Sequence, residues 1–389
     1  MASSATATSL AVPMQSSSLG PLFNITVGTP PQPLTVLSDW TWMSLFARSA
    51  NCLGEYKVAN CIPSGQQWYD ERASTTYQES EFAATGWENT SFLPGYEFAV
   101  TYGEDTVCFD EEGGICSDNT VFQLSDFDIA IPSVLPFGGI FGLAPVVGNL
   151  NETFYPASYQ AYLGGNIGPQ FGFHSCALLA DKSTCGGGDM QGVFGGTAGD
   201  DVYNTAALSW FDLDAEDWLS NSAPLNVRPG RSNFWAVQWT GMWVDEEGIG
   251  LSMAESSDTR TTLAVFDEGS EGYKAPIPAS ALDMLLSATN GRTETGSDST
   301  TYSVPCDLQT DNLPVLTYEL ARTQNYSIGP EDYIASEDGA CTLNVRVWDF
   351  DSNGPMGLFG KAFLDRLYVV FDFEALKIGL APLREDLLA

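Results

Sequence analysis

The sequence predicts an all-β protein made of two related halves that each bring one acid to a common site. Three observations carry that expectation. Short runs rich in Val, Phe, Tyr, Trp and Thr recur about every 8–12 residues, broken by Gly, Pro, Asn or Asp. Examples are FAVTY (Phe98 to Tyr102), WAVQW (Trp235 to Trp239) and LNVRV (Leu343 to Val347). The 389 residues make about twice a typical domain, enough for two lobes. The third observation is an internal repeat: LSD, ending at Asp39, is followed roughly a hundred residues later by GIFGLA (Gly139 to Ala144), and VFD, ending at Asp267, is followed roughly ninety later by GLFGKA (Gly357 to Ala362). An acid at a strand end, then two hydrophobics and a glycine, twice in the same order, points to a duplicated fold.

Along the chain, the opening MASSATATSLAVP has no charged segment ahead of an apolar one. No signal peptide is read there, and any leader or pro-segment is expected outside this sequence. Residues 1–190 are expected to form the N-terminal β lobe with the first acid, and 191–389 the C-terminal β lobe with the second. Two helices are predicted, one over Pro278 to Leu286 and a weaker one over Pro156 to Leu163. The glycine-rich stretch from Gly186 to Gly199, with Asp200 and Asp201 after it, is read as a loop system between the halves. No run of about 18 apolar residues occurs, so no membrane-spanning helix is expected.

Fifty acidic residues against 15 basic ones leave a formal charge of −35 at pH 7. Such a surface repels phosphates, which excludes nucleic acid as a partner. It also strains the folded state at neutral pH and relaxes as carboxylates protonate, so an acidic working environment is the economical reading beside simple solubility. The eight cysteines are expected to pair with chain neighbours: Cys52 with Cys61, Cys108 with Cys116, Cys176 with Cys185, and Cys306 with Cys341. With no CxxC and a single histidine, His174, no Cys/His metal site and no cofactor is expected. The thiols read as staples of an oxidising compartment, secreted or lumenal in the secretory pathway. Sequons at Asn24, Asn89, Asn151 and Asn325 agree with that.

Two carboxylates brought together from related halves can share one proton, because like charges about 3 Å apart do not both ionise. One then serves as base and the other as acid. That pair can activate a water and protonate a departing amine near acidic pH, without a serine nucleophile or a metal.

At this point the sequence resembles the pepsin-like aspartic peptidases, two-lobed secreted enzymes, here of the fungal type, whose shared-proton dyad is a general example of the effect just described. The phrase FNITVGTPPQ (Phe23 to Gln32) resembles the family's opening phrase, and EFAVTYG (Glu97 to Gly103) resembles the strand leading into its active-site flap. GIFGLA and LFG (Leu358 to Gly360) look like the segments that cross behind each catalytic loop. VFDFEALKIGLAP (Val370 to Pro382) is similar to its closing strand. The resemblance implies a bilobal double-ψ β-barrel fold with a central cleft, Asp39 and Asp267 as catalytic dyad, and Tyr102 with Gly103 on a substrate-covering flap. It also implies that Cys52–Cys61 and Cys306–Cys341 match family disulfides, whereas Cys108–Cys116 and Cys176–Cys185 are additions.

The departures from the family are concentrated beside the acids. Asp-Thr-Gly followed by Ser or Thr is written here Asp39-Trp40-Thr41-Trp42 and Asp267-Glu268-Gly269-Ser270. Both threonines that cross-link the loops are gone, so packing or a new polar pair must hold them. Fewer donors and an apolar neighbour are expected to raise the pKa of Asp39. Phe46 stands where the family has a tryptophan that bonds the flap tyrosine, so a less firmly anchored flap is expected. Glu268 either points towards the two aspartates, making a three-carboxyl site, or points outward as a solvated acid. Side-chain entropy and desolvation favour the outward orientation.

The functional expectation is a secreted, acid-active aspartic endopeptidase acting through a two-aspartate activated water. The alternative is a pepsin-like pseudoprotease, a scaffold whose peptidase activity has lapsed and whose cleft binds a ligand or runs other acid/base chemistry on a small molecule, with Trp40 and Trp42 as an apolar surface. A glycosidase would need carboxyls about 5 Å or more apart with room for a sugar, and nothing in the sequence asks for one. The expected partner is a peptide or small molecule in the interlobe cleft, with the protein a monomer.

Overall fold

The computed structural model describes residues 8–17, 19–50, 67–80, 88–93, 96–110, 114–125, 137–147, 155–214, 234–251, 261–268, 274–295, 300–337, 339–347 and 356–388. Strands dominate, and the all-β expectation holds. Alternation is visible where one sheet face meets the core: Leu316–Leu320 and Ala236–Val244 bury every second or nearly every second side chain. Strands buried on both faces, such as Leu263–Phe266 and Leu367–Asp372, read instead as continuous apolar runs.

Among the described residues, fourteen strands form one long sheet and six form another. The long sheet carries Gly20–Val27, Gln32–Asp39, Gly139–Gly142 and Tyr96–Cys108 on one side. It continues through Leu10–Ser17, Met190–Phe194, Gln170–Ser175, Leu367–Asp372 and Lys377–Pro382. Chain start, chain middle and chain end are therefore hydrogen-bonded neighbours. The smaller sheet carries Ala236–Val244, Leu263–Phe266 and Met356–Phe359 among its members.

The repeat read in the sequence is a repeat of strand pairing. Gln32–Asp39 runs parallel to Gly139–Gly142, with Asp39 opposite Gly142. Leu263–Phe266 runs parallel to Met356–Phe359, with Phe266 opposite Phe359. Glycine is needed in the first crossing segment because backbone lies where a side chain would go. A Cβ at Gly139 would run into the carbonyl oxygen of Phe46, and one at Gly142 into those of Trp42 and Met43. The segment is thereby pressed against the loop after Asp39: Leu143 N–H donates to the Asp39 carbonyl at 2.8 Å and Ala144 N–H to that of Trp42 at 3.0 Å.

Both predicted helices are present, as Ala157–Leu163 and Ala279–Thr289, each entered from a proline. The second ends at Asn290, whose left-handed φ of 51° suits asparagine. The glycine-rich stretch from Gly186 to Gly199 is not all loop. Met190–Phe194 within it is a strand paired with both Leu10–Ser17 and Gln170–Ser175. The glycines with positive φ, at 186, 187 and 195, flank that strand. The run from Leu343 to Val347 is split at Asn344 between the ends of two strands, Ala340–Leu343 and Val345–Val347. Disulfides join Cys108 to Cys116, Cys176 to Cys185 and Cys306 to Cys341. Cys52 and Cys61 lie outside the described residues. No helix among the described residues is long and apolar enough to cross a membrane.

Candidate active site

Asp39 is the last residue of its strand, half-buried, with its Oδ1 facing back into the loop. That oxygen accepts from Thr41 N–H and Thr41 Oγ1, both at 2.8 Å, and from Trp42 N–H at 3.0 Å. Dehydration by the surrounding protein raises its pKa above the ordinary carboxylate value, while these three donors pull it down. The expected direction holds through apolar burial, but the expected shortage of donors does not. Donors are not lacking, because Thr41 contributes both a hydroxyl and an amide to Asp39.

Trp40 stands where the family has a threonine and is fully buried. Its ring meets Phe173 and Phe371 edge-on, with centroids 5.0 and 4.8 Å apart, and Trp235 stacks on Phe371 at 4.6 Å. The Trp235 indole N–H donates to the Leu143 carbonyl at 2.7 Å, tying the second half of the chain to the first crossing segment. An aromatic layer thus fills the volume beneath the first loop. Neither Trp40 nor Trp42 offers a surface to a ligand, since Trp42 is only 3% exposed.

Asp267 follows directly on Leu263–Phe266, is buried, and is fixed by its own N–H donating to the Phe359 carbonyl at 3.1 Å. Glu268, favoured as a solvated acid on sequence grounds, is 3% exposed. Its Oε1 accepts from Ser38 Oγ at 3.0 Å across 230 positions of sequence. The reason it turns inward is this partner, which offsets part of the dehydration that argued for the outward orientation. Its pKa lies well above the usual carboxylate value, first through burial and then through the nearby charges of Asp267 and Asp39. One side chain therefore feels both aspartates, which come from opposite halves of the sequence. Gly269 and Ser270 lie outside the described residues.

Tyr102 is 2% exposed and sits in one apolar cluster with Leu37, Trp42, Phe46, Phe137 and Ile140. Phe46, at the position of the family's tryptophan, packs in the same cluster. Gly103 is a glycine because the Tyr77 ring lies where its Cβ would be. Asn24 and Asn325 are exposed, Asn151 lies outside the described residues, and Asn89 falls on the strand Glu88–Leu93. His174 is buried beside the Cys176–Cys185 disulfide, its Nε2 3.6 Å from Cys185 Sγ, and burial lowers its pKa to about 4. His174, Cys176 and Cys185 form the grouping of possible metal ligands found among the described residues, and its two sulfurs are already joined to each other in a disulfide.

Two features were missed in the sequence. Ser38 is the cross-loop donor; its signal is a small polar residue where an otherwise apolar strand meets the acid. Lys361 and Asp365 pair at 2.6 Å across one turn of the short helix Lys361–Leu364 and, with Glu268, Ser175, Phe173 and Met190, line a cavity of about 10 Å³. Their signal is the i, i+4 spacing of opposite charges.

Comparison with known proteins extends the match to nearly the whole chain. The model of the family described as eukaryotic aspartyl protease matches residues 22–383. The chain is 43% identical to a protein named secreted aspartic protease LUC8 from Fusarium sp over 408 aligned residues, covering 96% of this chain and 91% of that protein. It is 37% identical to the secreted aspartic protease FUS4 of Gibberella moniliformis, covering 97% and 91%, and 36% identical to the FUS4 of Gibberella fujikuroi, covering 96% and 90%. With its two acid-bearing parallel crossings in place from one end of the sequence to the other, the chain belongs to the eukaryotic aspartyl protease family.

Proposed function

We propose that this chain is a secreted, acid-active aspartic endopeptidase in which Asp39 and Asp267 share a proton and activate a water against a peptide bond. The observation that carries the reading is the position of Glu268, which is bonded to Ser38 beside Asp39 and bears the charge influence of both aspartates. That position supports a site at which acids from the two halves meet. In the proposed step the ionised aspartate takes a proton from water as its oxygen bonds to the carbonyl carbon, and the protonated aspartate gives its proton to the carbonyl oxygen. Collapse of the resulting diol breaks the C–N bond, and the amine leaves with a proton from the dyad.

Secretion is supported by the relatives' names and by the disulfides. The lobes are proposed to divide at 190/191, with an extended peptide lying in the cleft between them under the strand that carries Tyr102 and Gly103. The alternative, a lapsed scaffold, is motivated by the loss of both loop threonines, and it lacks the aromatic ligand platform because both tryptophans are buried.

The test is cleavage of a denatured protein substrate across about pH 2.5–7 by wild type, Asp39→Asn and Asp267→Asn. Turnover confined to the acid range and reduced by at least about 10³-fold in each variant is expected. A well-folded wild type that cleaves nothing at any pH returns the alternative.

A further inference from the structure

We propose that Glu268 is a positioning residue that replaces the missing threonine tie between the two aspartate loops and, because it is itself an acid, sets the upper pH limit of the site. This rests on the reading of Asp39 and Asp267 as the working pair. The geometry comes first. Ser38, one residue before the first aspartate, donates to Glu268, one residue after the second. The bond therefore joins the loops at the positions where a register error would separate the acids.

A carboxyl is an unusual choice for such a tie. One oxygen accepts from Ser38; the other, Oε2, is buried with no hydrogen-bond partner among the described residues. Beside Glu268 lies a cavity with room for about one water. A protonated Oε2 can donate to a water there, whereas an ionised one would be a third negative charge beside Asp39 and Asp267. The charged groups that face Glu268 are those two aspartates, together with Lys361 and Asp365 from the helix below. Lys361 does not serve as its counter-ion, because both Asp365 oxygens hold the ammonium at 2.6 Å. The strands Gln170–Ser175 and Met190–Phe194 bring only Phe173, Ser175 and Met190 to the cavity, with no charge. Burial and the two aspartates hold Glu268 in its neutral form through the acid range. As pH rises its proton leaves, and the site then carries a third negative charge whose repulsion of the two aspartates works against the tie that holds the loops in register.

The experiment compares wild type, Glu268→Gln, Glu268→Ala and Asp39→Asn, with Glu268→Gln also placed on the Asp39→Asn background. Thermal melts from about pH 4 to 7 need no turnover. Glutamine keeps an acceptor for Ser38 but cannot ionise. Its Tm advantage over wild type is expected to grow by roughly 2–4 °C as pH rises, and to shrink when Asp39 is already neutral. In the cleavage assay, Glu268→Gln should retain turnover and move the alkaline limb up by about one unit, whereas Glu268→Ala should lose turnover at every pH. A Tm difference that does not change with pH, or an alkaline limb that stays in place in Glu268→Gln, overturns the proposal. A wild type without turnover overturns the peptidase reading instead, and the melts alone then decide whether Glu268 titrates against Asp39.

Discussion

At the scale of single residues, the loop after Asp39 departs from the family in sequence more than in hydrogen bonding. Thr41 resists the backbone freedom of a glycine, yet its hydroxyl and amide both reach Asp39 Oδ1. A hydrogen bond to a charged group contributes about 1.5–3 kcal/mol, and less where the carboxylate is half-exposed. Thr41→Val removes the hydroxyl donor at constant shape. The donor favours the ionised form, so its loss should raise the Asp39 pKa further. Carbon-13 carboxyl titration, with the Asp39 signal assigned by its loss in Asp39→Asn, measures this directly. An unmoved titration would mean that the hydroxyl points elsewhere in solution. The sequence displayed Thr41 only as a misfit, since which atom fills a donor's place depends on coordinates.

At the scale of elements, each crossing strand is fixed by what lies behind its acid. The first loop rests on the aromatic layer of Trp40, Phe173, Phe371 and Trp235, drawn from four separate segments. Trp40→Ala should cost about 3–5 kcal/mol in stability, as large buried aromatics do, and Trp40→Thr should cost nearly as much. Threonine restores a hydroxyl but leaves most of the volume empty. Chemical denaturation of the three proteins checks this, and a Trp40→Thr protein as stable as wild type would mean that the ring is dispensable. The strands, both helices and the duplicated acid-plus-glycine pattern were legible because each is written in local residue order. Asp39, Asp267, Tyr102 and the three described disulfides fall on elements the sequence identified. The orientation of Glu268 was not legible: it depends on Ser38, 230 positions away, and no local rule weighs that bond against the dehydration that argued for solvent. The strand Met190–Phe194 was missed for a related reason, because its glycines outweighed an apolar run that two distant strands complete.

At the scale of the whole molecule, pH acts through opposed groups. Asp39 and Glu268 have folded pKa values above their unfolded ones, so their contribution is complete below the unfolded pKa and is lost as pH rises through the folded one. The formal charge of −35 acts in the same direction through self-repulsion. His174 acts in the other. Its folded pKa of about 4 lies below the ordinary 6.5, so its contribution is complete above 6.5 and is lost as pH falls towards 4. For a shift of this size the loss is about 3 kcal/mol. Ordinary carboxylates do not protonate in bulk until below about pH 5, so His174 decides the slope between 6.5 and 5 unless Glu268 offsets it. Tm measured from about pH 3.5 to 7.5, at low and high salt, separates these effects. Salt should raise Tm near neutrality, where repulsion is strongest, and have little effect near pH 4. His174→Gln should match wild type in its dependence on salt but gain stability over it only below about pH 6.5, with the gain levelling off near pH 4. A gain that is equal at all pH values would show that the imidazole titrates alike in the folded and unfolded chain, and the acid side of the stability curve would then belong to the carboxylates alone.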